Sequence, residues 1–131
     1  MEKVGIVFSS RPDVLNSVGL REKWNALLKN RNDSISVNPV IIRKSIDDET
    51  NRPYYFLFAQ SEDSRLKMAQ LLYREKRDLY IDAKEPEIVI CDCEDYSPRR
   101  VDGKWVCYSA EGGNECELEV IAAENKRTAS R

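Results

Sequence analysis

Apolar and polar positions along the first 83 residues alternate between patterns typical of strands and of helices. Residues 4–8 form a short apolar run with β-branched side chains, and residues 54–60 form an aromatic, nearly unbroken run; both predict strands. Between them, apolar side chains at helical spacing over residues 14–28 predict a helix, with Ser10 or Asp13 as its N-cap. The chain therefore begins with a strand followed by a helix.

Three further segments complete this first part of the chain. Residues 35–42 are β-rich but contain Asn38-Pro39, and because proline cannot donate a ladder hydrogen bond they predict an edge strand or a bulge. Residues 61–77 predict a second helix, since acidic residues follow Ser61 and basic residues end the segment, as the helix dipole favours. Residues 79–83 predict a fourth strand.

The order strand, helix, strand, strand, helix, strand predicts an α+β fold. We expect a ferredoxin-like two-layer sandwich (βαββαβ) over residues 1–85, with both helices on one face of a four-stranded antiparallel sheet. After Pro86 the pattern changes to strands separated by turn-rich stretches. The strands expected there are residues 87–93, 104–108 and 116–122.

Length and composition favour one globular domain. The chain has 131 residues, of which 41% are hydrophobic and 34% charged. We expect a single domain over residues 1–131, in which the core is followed by a β-meander extension over 86–122 and a flexible tail over 123–131. The apolar runs are too short to cross a bilayer, and nothing near the N-terminus resembles a signal peptide, so the sequence predicts a cytoplasmic protein without membrane contact.

Charge is balanced over the whole chain but not along it. The net charge of −2 does not favour phosphate backbones or anionic lipid as partners, whereas residues 85–119 carry 3 basic and 10 acidic side chains. Such an acidic face steers association with a basic protein surface, although charge runs more often serve solubility. The candidate partner-binding residues are Asp47, Asp48, Glu49, Asp92, Glu94 and Asp95.

The sequence contains no motif for catalysis. It has no histidine, the commonest general base and metal ligand, so a thiol enzyme of the Cys/His kind is excluded. It also has neither the G-x-x-x-x-G-K-[ST] loop nor the G-x-G-x-x-G loop that binds phosphates. We therefore predict a protein that is not an enzyme and needs no cofactor.

All four cysteines lie within one stretch of 26 residues. They are Cys91, Cys93, Cys107 and Cys116. If the strands that carry them form a meander, a tetrahedral zinc site is possible, but the spacing contains no C-x-x-C knuckle. We favour four small buried thiols, with zinc as the alternative and with disulfides less expected in a reducing cytoplasm.

The aromatic strand raises an RNA-binding alternative. Residues 52–58 partly resemble the third-strand signature of RNA-recognition motifs, in which rings on an open sheet stack bases. Pro53 replaces the glycine of that signature, and core packing explains the same rings. An RNA-binding module of this type predicts binding that is lost in Tyr54→Ala and Phe56→Ala.

Short matches to one protein family run through about two thirds of the chain. They are Met1, Lys3, Ile6, Phe8 and Ser10, then Phe56-Leu57-Phe58, then Ile81-Asp82-Ala83, Glu85 and Glu87. On these residues, the segment from 1 to about 85 resembles a phage-encoded anti-CRISPR family, the type II-C Cas9 inhibitor that binds the HNH nuclease domain. The segment from Pro86 onward has no counterpart in that family.

The resemblance implies a protein without enzymatic chemistry that docks on a Cas9 effector and prevents cleavage or loading of target DNA. In that family, one inhibitor engages the nuclease domain of one Cas9 and the recognition lobe of another. We therefore predict a non-catalytic inhibitor whose partner is a Cas9 effector or another nuclease, without direct contact to nucleic acid. The alternatives are an RNA-binding module and an immunity protein that neutralises a toxin nuclease.

Overall fold

The computed structural model describes residues 2–31, 34–112 and 116–121, and this part of the chain is mostly β. The strands are β1 (Lys3–Phe8), β2 (Arg11–Val14), β3 (Ile41–Ile46), β4 (Pro53–Gln60), β5 (Leu66–Glu75), β6 (Asp78–Ile81), β7 (Ile88–Asp92), β8 (Ser97–Val101), β9 (Lys104–Tyr108) and β10 (Leu118–Ile121), and the helix is α1 (Ser17–Asn30).

Eight strands form one antiparallel sheet that curves into a nearly closed barrel. On one edge, β5 pairs with β4, which pairs with β3. On its other edge, β5 changes partner along its length: residues 66–70 pair with β7, which pairs with β10, and residues 72–75 pair with β6, which continues to β1 and β2. Strand β2 then lies against β3, which nearly completes the ring. The prediction of a ferredoxin-like α+β sandwich is therefore wrong.

The main error is the helix expected over residues 61–77, where the structure has β5. Leu66, Met68 and Leu72 face the main core, while Ala69 faces a second core on the other side of the sheet. Because both faces are buried, the segment lacks the polar alternation of a half-exposed strand, and its Leu, Met, Ala and Gln content favours a helix locally. Burial on both sides of the sheet overrides that preference.

Helix α1 was predicted correctly and packs into the inner face of the barrel. Its N-cap is Asn16, whose side chain accepts a hydrogen bond from the N–H of Gly19 at 3.1 Å, rather than Ser10 or Asp13. Trp24 and Leu28 are fully buried in the main core. The helix thus supplies the large side chains that fill the barrel.

A hairpin of β8 and β9 covers the outer face of the main sheet. Trp105 packs on Phe56 with ring centroids 5.8 Å apart and on Tyr54 at 6.1 Å, closing a second core that includes Phe58 and Val89. The extension is therefore not a separate meander, since β7 and β10 join the main sheet and only β8 and β9 stand apart.

Smaller differences from the sequence prediction concern the loops. The edge strand expected over residues 35–42 is reduced to one bridge between Val37 and Ser61, and β3 begins only after the cis Asn38–Pro39 peptide. Strands β2 and β8 were not predicted. The tail predicted over 123–131 lies outside the described residues.

Candidate functional site

The six acidic residues selected from the sequence lie in two separate places. Asp47, Asp48 and Glu49 form the turn after β3, beside the hairpin turn at Asp102 and Gly103. The other three lie at the end of β7 and in the loop that leads to the open end of the same hairpin; they are Asp92, Glu94 and Asp95. The structure therefore does not bring the six together on one surface.

Asp47 has a structural role. Its carboxylate is buried and accepts four backbone N–H groups, from Glu49 at 2.9 Å, Thr50 at 3.1 Å, and Asp102 and Gly103 at 2.8 Å each. Burial raises the pKa of this carboxyl, but the backbone donors, Gly103 first, outweigh burial and hold the pKa far below its ordinary range. Asp47 thus joins the β3–β4 turn to the hairpin turn.

Its neighbour Asp48 binds the same hairpin through a partly exposed ion pair. The Asp48 carboxylate accepts a hydrogen bond from Nη2 of Arg99 at 2.7 Å, and this bond raises the pKa of the Arg99 guanidinium. The Glu49 side chain is exposed. Of these three acids, Glu49 alone has a side chain that is neither buried nor ion-paired with a described residue.

Asp92, Glu94 and Asp95 contribute to a larger acidic surface that we call the acidic end. It comprises Asp63, Asp92, Glu94, Asp95 and Glu119. Arg31 forms ion pairs with both Asp92 and Glu119, and Arg65 contacts Asp92 at 3.2 Å. Exposed Glu62 and Glu117 flank these residues along the chain. Carboxylates outnumber cations, so this end of the barrel presents negative charge.

A buried lysine lies beneath the acidic end and binds the backbone of one of its loops. Lys67 on β5 is 6% exposed, and its Nζ donates a hydrogen bond to the carbonyl of Cys93 at 3.1 Å. Burial lowers the pKa of Lys67, while the charges of Asp95 and Glu94, followed by that of Asp63, act to raise it. The ammonium group therefore holds the loop after β7 against the sheet and leaves the carboxylates outermost.

The four cysteines form two disulfides, so the expectation of free buried thiols is wrong. Cys91 in β7 is bonded to Cys107 in β9, and Cys93 is bonded to Cys116, with Cα–Cα distances of 5.8 and 6.0 Å. Adjacent strands and the hairpin bring the pairs together, which the linear spacing does not reveal. Since paired sulfurs offer no thiolate, the zinc alternative applies only to the reduced chain.

The aromatic surface of the RNA-recognition alternative is covered. Phe56 and Phe58 are 6% and 3% exposed beneath the β8–β9 hairpin. The hydroxyl of Tyr54 accepts a hydrogen bond from the N–H of Arg100 at 3.1 Å. Stacking of bases on these rings would require removal of the hairpin, and the βαββαβ architecture of such modules is also not present.

A groove with basic and aromatic walls lies at the far end of the barrel. It has a volume of about 920 Å³ and is lined by Lys44, Arg52, Tyr54, Tyr55, Tyr73 and Arg74, among others. Lys67 at the acidic end and Arg74 in the groove are seven residues apart on β5, which corresponds to roughly 23 Å along a strand. Sequence reasoning missed this groove because its residues come from several strands and loops that are far apart in sequence and form no linear motif.

No protein-family model, no curated protein and no solved structure matches this chain. Within the described ranges, no group of three or more Cys, Asp or Glu side chains is arranged to hold a metal ion. In the same part of the chain, no helix has the length and apolar character needed to cross a bilayer.

Proposed function

We propose that this protein is a non-catalytic inhibitor that docks through its acidic end on a basic surface of a nuclease. A type II-C Cas9 is the first partner to test, because of the anti-CRISPR resemblance described above. The observation that carries the proposal is the excess of carboxylates over cations at the acidic end, where Lys67 holds the loop that carries Glu94 and Asp95 through its hydrogen bond to the Cys93 carbonyl.

The acidic end is held in a fixed arrangement, which favours specific docking. Lys67 donates a hydrogen bond to the carbonyl of Cys93 in the loop after β7, and Arg31 bridges Asp92 and Glu119. A surface that is already ordered loses less conformational entropy on binding, and its charge accelerates encounter with an oppositely charged partner.

The resemblance and the acidic end are independent lines of support. Phe56, Leu57 and Phe58 are buried in the two cores, and Ile81 packs on the main core, so this part of the resemblance concerns the scaffold. The acidic end is built largely from the segment after Pro86, which has no counterpart in the family. We therefore assign docking to the acidic end without carrying over contact residues.

Size-exclusion co-elution with a type II-C Cas9, combined with a DNA-cleavage assay, tests the proposal. We expect the wild-type protein to co-elute and to suppress cutting, and the double variant Glu94→Lys/Asp95→Lys to lose both effects. Charge reversal places two ammonium groups against a basic surface, and such like-charge contacts cost several kcal/mol.

The matched control is Glu22→Lys/Glu75→Lys. Both residues are exposed and lie on α1 and at the end of β5, away from the acidic end, and the control changes the net charge by the same amount. It should inhibit like the wild type. Full cutting in the presence of excess wild-type protein, without a shared elution peak, would remove the proposal for the effector tested.

A further inference from the structure

We propose that the groove formed by Lys44, Arg52, Tyr73 and Arg74 binds a nucleotide, with the cations holding phosphate and Tyr73 stacking on the base. This inference concerns the opposite end of the barrel from the acidic end and does not depend on the docking function proposed above. It also differs from the sequence-based expectation of no contact with nucleic acid, which rested on the total charge of the chain.

The groove exists because the sheet divides. Pairing between β4 and β5 ends at Tyr55 and Leu72, although β4 continues back to Pro53 and β5 continues to Glu75. Beyond that point β4 remains paired with β3, and β5 remains paired with β6. The two halves of the sheet separate there and leave an open groove between them, within the size range of small-molecule sites.

Two cations in the groove have no carboxylate partner among the described residues. The side chains of Lys44 and Arg52 are exposed, and neither forms an ion pair with a described residue. The Lys44 ammonium lies 5.7 Å from the ring centroid of Tyr55. Cations that are exposed and lack a carboxylate partner are available to a phosphate group.

Arg74 adds a third cation whose position is fixed. It donates one hydrogen bond from Nη1 to the hydroxyl of Tyr55 at 2.9 Å and another from Nε to the carbonyl of Lys76 at 2.6 Å. Its Nη2 has no hydrogen-bond partner within the described ranges. Arg74 is therefore held in place at the lining of the groove while one of its donor nitrogens stays available.

Tyr73 supplies an aromatic ring to the same groove from the other face of β5, because consecutive side chains on a strand point to opposite faces and Arg74 follows it directly. It is 45% exposed, which is high for a large aromatic side chain on a strand, and no described residue bonds to its hydroxyl. Stacking of a base on an exposed ring is a recurrent mode of nucleotide recognition, because every base has a π-face. An exposed ring and cations without a carboxylate partner, lining one groove, are the combination that a phosphorylated aromatic ligand requires.

The groove is also lined by two carboxylates, which keep their negative charge at neutral pH. Asp47 is saturated by its four backbone donors, and Asp82 accepts the N–H of Lys84 at 2.9 Å. Arg100 also lines the groove, but its guanidinium is already paired with Glu85 at 2.9 and 3.1 Å. With Arg100 paired, the lining holds three further cations, Lys44, Arg52 and Arg74, against the two carboxylates, so the groove keeps a small excess of positive charge.

Fluorescence anisotropy with a labelled uridine-rich single-stranded RNA of about ten nucleotides, at about 50 mM salt, tests the proposal. Calorimetry with free UMP provides the second arm. Each of Arg52→Ala and Tyr73→Ala should weaken binding about tenfold, which is the order of one stacked base or one charged contact. Tyr73→Phe keeps the ring and should bind like the wild type.

Lys29→Ala is the control for general loss of positive charge, since Lys29 is exposed on the last turn of α1, near the acidic end. Binding of RNA alone would assign the site to a strand, and binding of UMP as well would extend it to free nucleotides; both support the proposal. Absence of binding to either probe would overturn it. So would wild-type affinity in Arg52→Ala or in Tyr73→Ala.

Discussion

At the residue scale, Asp47 shows how one carboxylate can join two distant parts of a chain. Its Oδ1 accepts the N–H groups of Glu49, Thr50 and Asp102, and its Oδ2 accepts that of Gly103. The two hairpin donors are 55 and 56 residues away in sequence. A charged acceptor suits this place because it offers lone pairs in every direction and no donor.

Asp47→Asn should therefore destabilise the protein. The amide would place an N–H₂ group opposite at least one of the backbone N–H groups, which leaves buried donors facing each other. We expect a fall in Tm on the order of 5 °C by circular dichroism. Asp48→Asn, which removes only the partly exposed pair with Arg99, should change Tm much less.

The pH dependence of the Asp47→Asn effect gives an independent check. Because the pKa of Asp47 is lowered in the folded state, its stabilisation is fully present above the ordinary aspartate value of about 4 and is lost as the pH falls toward the folded pKa. The Tm difference between wild type and variant should accordingly narrow on acidification below about pH 4. A difference that stays constant from neutral to acidic pH would contradict this role.

At the element scale, the β8–β9 hairpin is held to the barrel by three kinds of contact. The Cys91–Cys107 disulfide fixes its β9 strand, Asp47 binds its turn, and Trp105 packs on Phe56. The second core consequently exists only while the hairpin lies on the sheet.

Cys91→Ala/Cys107→Ala should release this hairpin in part. Loss of a disulfide between residues 16 apart in sequence costs about 3 kcal/mol in the chain-entropy model. We expect a lower urea midpoint, a red shift of Trp105 fluorescence and increased binding of a hydrophobic dye, whereas Trp24 stays buried in the main core.

The control for this variant is Cys93→Ala/Cys116→Ala. It removes a disulfide between residues 23 apart, with a similar cost in stability, but leaves β9 bonded to β7. Its fluorescence should resemble that of the wild type. Identical spectra for the two double variants would show that the disulfide does not keep Trp105 on the sheet.

Secondary-structure elements could be predicted from the sequence where the spacing of apolar residues fitted either a strand or a helix but not both. β1, α1, β4, β6 and β9 match their predicted positions because each is either a short β-rich run or an amphipathic helix. Strand β5 was not predictable in this way, since both of its faces are buried and its residues favour helices locally. The predicted fold class depended on this one segment. Because the segment was assigned to a helix instead of a strand, the sequence predicted a two-layer sandwich where the structure has a barrel-like sheet.

For the candidate site, the sequence predicted the negative charge but not how the residues are arranged in space. The acidic excess after Pro86 does lead to the acidic end, through Asp92, Glu94 and Asp95. Burial of Asp47 and the two disulfides depend on contacts between segments that are far apart in sequence. The groove depends on where two strands stop pairing, which no local pattern encodes.

At the scale of the whole molecule, a net charge of only −2 conceals an uneven distribution, with carboxylates in excess at the acidic end and three cations without a carboxylate partner in the groove. Strand β5 connects them, with Lys67 beneath the acidic end and Arg74 in the basic groove. The distance of roughly 23 Å between these two residues exceeds the Debye length of about 8 Å at physiological salt. If the two proposed sites bind their partners independently, changes at one end should leave binding at the other unchanged.

Docking through the acidic end should consequently depend on ionic strength. Between about 0.1 M and about 1 M salt the Debye length falls from about 10 Å to about 3 Å, so the charge of the acidic end reaches a shorter distance. Biolayer interferometry on immobilised Cas9 should show a steep fall in the association rate constant over this range and a small change in the dissociation rate constant. Glu49→Gln, at the other end, should keep this slope, whereas Glu94→Gln/Asp95→Gln should flatten it. An association rate constant that does not change with salt would mean that the protein docks through apolar contacts and not through the acidic end.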